Sequence, residues 1–202
     1  MRRLPRSFYA RDPRTVARAL LGRVLVSELA RTRVSARIVE VEAYRGANDP
    51  ASHAWRGRTA RNAVMFGPAG HAYVYFTYGM HYCFNVVCER EGVAGAVLLR
   101  ALEPLEGPAL LRRRRRVHAR ERLLRGPGCV GQGLALTLAH DGLDLVTGPL
   151  WIADIPPERG GARPASGPRI GIRFARERPW RYWLRGNACV SGPAARRAGD
   201  SR

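Results

Sequence analysis

Apolar positions alternate with polar ones through Gly70–Val87, GHAYVYFTYGMHYCFNVV, at the period of two that puts neighbouring side chains on opposite faces of a strand. Gly79 interrupts the run where a hairpin would turn. Tyr73, Tyr75 and Thr77 share one face of the predicted hairpin, and Val74, Phe76 and Tyr78 the other. Tyr78 then falls at the tip, where a core residue has no place. Aromatic residues favour strands in general, so tyrosines on the wet face of an ordinary hairpin account for much of the pattern. The ring at the tip is left over.

A second alternating run, Arg33–Tyr44, sets Val39, Val41 and Ala43 on one face and Ile38, Glu40, Glu42 and Tyr44 on the other. Two carboxylates inside a β-branched strand read either as a solvent-facing stripe or as the polar floor of a pocket. Elsewhere the pattern predicts a helix that starts at Asp12-Pro13, a capping residue followed by proline, and ends near Leu21 before Gly22. Strands are expected at Arg23–Leu29, Gly92–Arg100, Leu143–Val146, Leu150–Ile155, Arg169–Phe174 and Arg181–Arg185. A helix is expected over Pro108–Arg125. Gly126–Ala139 reads as a glycine-rich turn opening an apolar helix, whose free N–H groups suit a phosphate. Arg45–Gly70 has no periodicity and holds His53, Trp55, Arg56, Arg58, Arg61 and Asn62; a loop of that length is usually functional. Pro156–Pro168 reads as a loop. The expected fold is a mixed α/β (α+β) single domain over residues 1–192, with a curved, mainly antiparallel sheet, flanking helices and a protruding β-hairpin. Residues 193–202 read as a disordered tail.

Charge changes this picture. The chain has 202 residues, a formal net charge of +19 and a pI near 11.4, and the natural partners of such a field are polyanions. An apolar ring at a hairpin tip then becomes a candidate wedge for a nucleic-acid stack. The five-arginine run Arg112–Arg116 reads as a solvated face or as nonspecific phosphate contact. No apolar run is long enough to cross a membrane, and the charged start with its two prolines is unlike a signal peptide. The expected location is therefore the cytoplasm, on the nucleoid if the source is bacterial. All 35 basic residues are arginine, so no lysine is available as a Schiff-base nucleophile. Cys83, Cys88, Cys129 and Cys189 lack the spacing of a zinc or iron–sulfur site and read as reduced thiols. Neither a metal nor any other cofactor is expected.

Together these pieces suggest a base-handling site. Glu42 is an activatable carboxylate, and Arg100, at the end of its strand, a partner for it. Tyr44, Tyr75 and His53 are candidate walls, and Asn85 is an amide set in an apolar run. An enzyme that acts on a base in a duplex must extrude it, stack it and fill the gap, and the chain has residues for each task.

In this order the motifs resemble the alkyladenine (3-methyladenine) DNA glycosylase family. They are ALLGRVLV at Ala19–Val26, RIVEVEAY at Arg37–Tyr44, RNAVMFGPAGHAYVYFTYGMHYCFNVV at Arg61–Val87, AVLLRALEPLEG at Ala96–Gly107, GPGCVGQGLAL at Gly126–Leu136 and PRIGIRFARERPWRYWLRG at Pro168–Gly186. The resemblance implies a monomeric enzyme that excises alkylated or deaminated purines from double-stranded DNA without cofactor or metal. It implies Glu42 as the water-activating carboxylate and Arg100 as its partner at the water. Tyr44, His53 and Tyr75 match the residues that hold the everted base, and Asn85 the amide that refuses guanine. Tyr78 matches the intercalating residue, with Met65 and Arg61 as further DNA contacts. Ala60, where proline is expected, and the arginine-heavy helix depart from the family pattern. Two other readings remain open at this point: a non-catalytic nucleic-acid-binding protein, and a metal-dependent nuclease, for which no carboxylate or histidine cluster is evident.

Overall fold

The computed structural model describes residues 1–155 and 163–192. Their strands form one curled sheet, and every strand pairing among them is antiparallel. The strands are β1 (Val24–Ser27), β2 (Val34–Arg45), β3 (Ala72–Thr77), β4 (His81–Val87), β5 (Gly95–Glu106), β6 (Leu150–Ala153), β7 (Pro164–Gly167) and β8 (Arg181–Leu184). The order runs β3-β4-β5-β2-β1-β6, and β8 joins β2 to β7. The helices α1 (Arg6–Tyr9), α2 (Pro13–Leu20), α3 (Pro108–Arg115) and α4 (Pro127–Gly133) are short. The mixed α/β architecture and the protruding hairpin are those expected.

The central strand β2 makes the sheet curl. Its first half pairs with β1, Val24 to Ser27 against Arg37 to Val34, while Glu40, Val41 and Glu42 pair with Trp183, Tyr182 and Arg181 of β8. Between the two, its register against β5 slips around Ile38, Glu40 and Val41. A bulge bends a strand and re-aims its side chains. Simple alternation therefore fails at one residue: Ile38 joins the same apolar core as Val41 and Ala43, while Glu40 and Glu42 do not.

Helix α2 starts as its sequence dictates. The Asp12 side chain accepts from the Arg14 N–H, Pro13 opens the first turn, and Val16, Ala17 and Leu20 face the core. The helix expected over Pro108–Arg125 ends at Arg115, where Arg116 turns left-handed (φ 51°). The reason is tertiary. Leu123 and Leu124 are both fully buried, and the chain must swing back so that the Leu102 N–H can bond the Leu124 carbonyl. Three of the five arginines in the run are held internally: Arg112 donates to the His118 carbonyl, Arg114 to the Gly133 carbonyl, and Arg115 to the Leu123 carbonyl and to Gln132.

Close packing accounts for two glycines of α4. A Cβ at Gly131 would fall 2.0 Å from the Tyr82 carbonyl oxygen, and one at Gly133 would fall 2.3 Å from Leu124. Three expectations fail. Residues 143–146 form a turn, residues 169–174 are irregular, and within the expected loop after residue 155 the segment Pro164–Gly167 is the strand β7. The rest of that loop, and the expected disordered tail at 193–202, lie outside the described residues.

Candidate active site

A cavity of about 550 Å³ opens between the hairpin, the 45–60 loop and the 168–174 segment. Tyr44, His53, Tyr73, Tyr75, Asn85 and Arg100 line its interior, and Tyr78 and Phe174 lie on its margin. Residues far apart in the chain meet here because β2, β4 and β5 are adjacent in the sheet: Glu42 lies across from Leu98, and Leu98 in turn from Asn85.

The two strand carboxylates are not a solvent stripe, since Glu40 and Glu42 both have no exposed surface. Glu42 lies directly behind the cavity wall. One carboxylate oxygen accepts from the Tyr44 hydroxyl at 2.8 Å; the other accepts from the Ile170 N–H at 2.8 Å and faces Arg100 at 3.3 Å. Tyr44, Arg100 and Ile170 all line the cavity, whereas Glu42 does not. Burial first, and then the negative Glu42 beside it, raise the Tyr44 phenol well above its ordinary pKa, so the hydroxyl stays a donor.

Glu40 is the other pole. It accepts from Arg100 at 3.1 Å, from Arg181 at 2.6 Å and from the Ser191 N–H at 2.6 Å. Burial opposes the charge of Arg100, but Glu42 and Glu40 together outweigh it and hold the guanidinium protonated. A third pair completes the cluster: Arg169 grips Asp49 through two bonds of 2.5 and 2.8 Å, with both side chains fully buried. Arg169 also donates to the Ala43 carbonyl and lies 4.7 Å from the Tyr44 ring centre. Three carboxylates and three guanidiniums thus balance in charge beneath the pocket, as buried ions must.

The aromatic wall is built by β3 and the long loop. The His53 ring packs edge-on against Tyr75 at 4.5 Å, and its Nδ1 lies 2.9 Å from the Tyr73 hydroxyl. Burial, helped by the charge of Arg61, lowers the His53 pKa and favours the neutral ring. Burial pushes the Tyr73 phenol up to about 12. The Asn85 amide is 4% exposed and donates to the Tyr73 carbonyl across the hairpin. The loop that carries His53 is held by Asn62, whose side chain donates to the His53 and Gly57 carbonyls and accepts from the Thr59 N–H.

Tyr78 stands at the tip with 80% of its surface exposed. Three residues separate the paired Thr77 and His81, and the first two of them, Tyr78 (φ 51°) and Gly79 (φ 67°), are left-handed. A tyrosine held there works against its own backbone preference. Arg61 is exposed, donates to the Phe76 carbonyl and lies 5.6 Å from the Tyr75 ring centre. Met65, expected as a DNA contact, is one of the residues that line the cavity. It is 2% exposed and packs with Ala54, Tyr73 and Ala96, because the 3-10 helix Ala60–Phe66 turns it inward.

Sequence reasoning missed Asp49, Arg169, Arg181 and the Ile170 N–H. Arg169 and Ile170 lie in PRIGIRF, which was read as a strand, and Arg181 opens the strand expected at Arg181–Arg185, while nothing marked Asp49.

A cavity with aromatic walls, backed by a buried carboxylate on a strongly cationic chain, has the features of a nucleobase-handling site. The family model for methylpurine-DNA glycosylase (MPG) matches residues 7–188, and the chain belongs to that family. Among its relatives, a Burkholderia lata protein named "Putative 3-methyladenine DNA glycosylase" is 49% identical over 198 residues, 96% of this chain and 93% of the relative. Proteins of the same name from Rhodopseudomonas palustris and Anaeromyxobacter dehalogenans are each 50% identical, and cover 96% and 95% of this chain and 92% and 88% of their own length.

Proposed function

We propose that this protein is a monofunctional DNA glycosylase that everts alkylated or deaminated purines from duplex DNA and hydrolyses the N-glycosidic bond with a water activated by Glu42. The observation that carries the reading is the buried Glu42 carboxylate, joined to the cavity through Tyr44, Arg100 and Ile170. A protein that only binds nucleic acid has no use for that arrangement.

In the reaction, the bond from C1′ to the base nitrogen breaks and its electron pair leaves with the base. Positive charge builds on the deoxyribose, as in other glycosyl transfers. The Glu42 carboxylate stabilises that charge and accepts a proton from the water whose oxygen bonds to C1′. The water approaches from the cavity side, between Arg100 and Ile170, which line the cavity and meet the same Glu42 oxygen. Tyr44 and Tyr75 stack the everted base, with His53 neutral beside it. Asn85 refuses guanine by crowding its exocyclic amino group. Tyr78 fills the gap left in the duplex, and Arg61 supports the hairpin from which it projects. Damaged purines pair weakly and so are everted at lower cost.

The test is a hypoxanthine-containing duplex incubated with the protein and EDTA, with abasic sites then revealed by alkali. Excision is expected. Cutting abolished by EDTA indicates a nuclease, and binding without excision indicates a non-catalytic protein. Efficient nicking without alkali removes the monofunctional assignment. Glu42→Gln is expected to lower single-turnover excision by about 10²–10⁴ while DNA binding persists.

A further inference from the structure

Two exposed aromatic rings at the edge of the pocket are left unused by this mechanism. Trp55 and Phe174 come from separate loops, yet their ring centres lie 6.4 Å apart at a tilt of 39°. They are 40% and 59% exposed, where large apolar side chains are costly to leave in water. Phe174 borders the same cavity as Tyr44 and Tyr75, so the pair lies next to the inner pocket. The surroundings are cationic. Arg56 lies 5.6 Å from the Trp55 ring centre, and Arg58, Arg173 and Arg176 are exposed on the same two loops. An exposed aromatic pair among arginines is the physical design of a stacking platform for unpaired nucleotides: π-faces for the base, guanidiniums for the phosphates.

We infer that Trp55 and Phe174 form an outer holding site for an everted nucleobase that the inner pocket refuses. This rests on the glycosylase reading above. A base that leaves the duplex but fails to fit past Asn85 stacks on these rings, because the alternative is full exposure to water. The flexible Arg56 and Arg173 side chains then follow the phosphates that flank it. The occupant is a normal base, guanine in particular, and not the damaged base held within.

The test compares two duplexes of the same sequence. The first carries guanine opposite a tetrahydrofuran spacer, so that the base is unpaired and easily everted. The second has a spacer in place of that guanine as well, so that no base is there to hold. Trp55→Ala and Phe174→Ala are expected to weaken binding to the first about 5- to 50-fold and leave the second unchanged, the range that base–aromatic stacking supports. Trp55→Phe, which keeps a ring, is expected to stay within about 2-fold of the parent on both. Equal weakening on the two duplexes overturns the inference, since the rings then contact only the backbone; so does no change on either. Excision of hypoxanthine by the parent is measured alongside. If the parent excises, a failed comparison sinks the holding site alone, and if it does not, the glycosylase reading falls first.

Discussion

Removing the Asp49 side chain isolates how much the buried ion cluster contributes. In Asp49→Ala, the Arg169 guanidinium loses both of its carboxylate bonds, of 2.5 and 2.8 Å, at a site where neither side chain touches solvent. One bond, to the Ala43 carbonyl, remains. Breaking one partner of a buried pair typically costs about 3–5 kcal/mol, because the surviving charge can neither reach water nor find a new partner. The N–H groups of Arg45 and Ala51 lose their acceptor as well, both at 3.2 Å. Against a typical stability of about 5–15 kcal/mol, the loss is a third or more of the total. Urea denaturation at neutral pH measures it. Activity should fall too, since Arg169 precedes Ile170, whose N–H fixes the Glu42 carboxylate. Single-turnover excision at a temperature where the variant remains folded separates that effect from unfolding. The double change Asp49→Ala with Arg169→Leu removes the orphaned charge and should be less destabilised than Asp49→Ala alone. A loss below about 1 kcal/mol for Asp49→Ala, the range of exposed pairs, refutes the argument.

Tyr78→Ser removes the exposed ring at the hairpin tip, and the fluorescence rise of 2-aminopurine placed beside a lesion should shrink on binding; an unchanged signal counts against the wedge. Gly131→Ala puts a Cβ 2.0 Å from the Tyr82 carbonyl, a backbone atom that cannot swing aside. Overpacking of about 1–3 kcal/mol should exceed the helix-propensity gain of about 1 kcal/mol, so the melting temperature should drop, and a rise would sink this account of α4. The His53 pKa lies below its ordinary 6.5, so the folded protein binds fewer protons there than the unfolded chain. Its contribution to stability is therefore full above the unfolded value and is lost as pH falls through the folded one. Melting curves of parent and His53→Gln should run parallel at neutral pH and converge on acidification; a gap that widened with acid would reverse the sign.

The alternation of Gly70–Val87 and of Arg33–Tyr44 made β2, β3 and β4 legible, because a period of two is a property of the strand itself and needs no partner. Asp12-Pro13 likewise announced the start of α2, since a cap acts within three residues. The composition pointed to a polyanion partner, and the motif order pointed to the family and to roles for the candidate site residues. What the linear pattern could not supply was pairing at a distance. The bulge near Ile38 arises only because β2 changes neighbour from β1 to β8, and that switch brings Arg181 to Glu40. Met65 turned inward, the helix after Pro108 broke at Arg116, and Arg169–Phe174 stayed irregular for the same reason: each obeys a contact made elsewhere in the chain. Whether Glu40 and Glu42 would face water or lie buried was undetermined locally. Only the arrival of Arg100 from β5, Arg181 from β8 and the Ile170 N–H from the 168–174 segment permits their burial, because a charge leaves water only where counter-charge and hydrogen bonds await it.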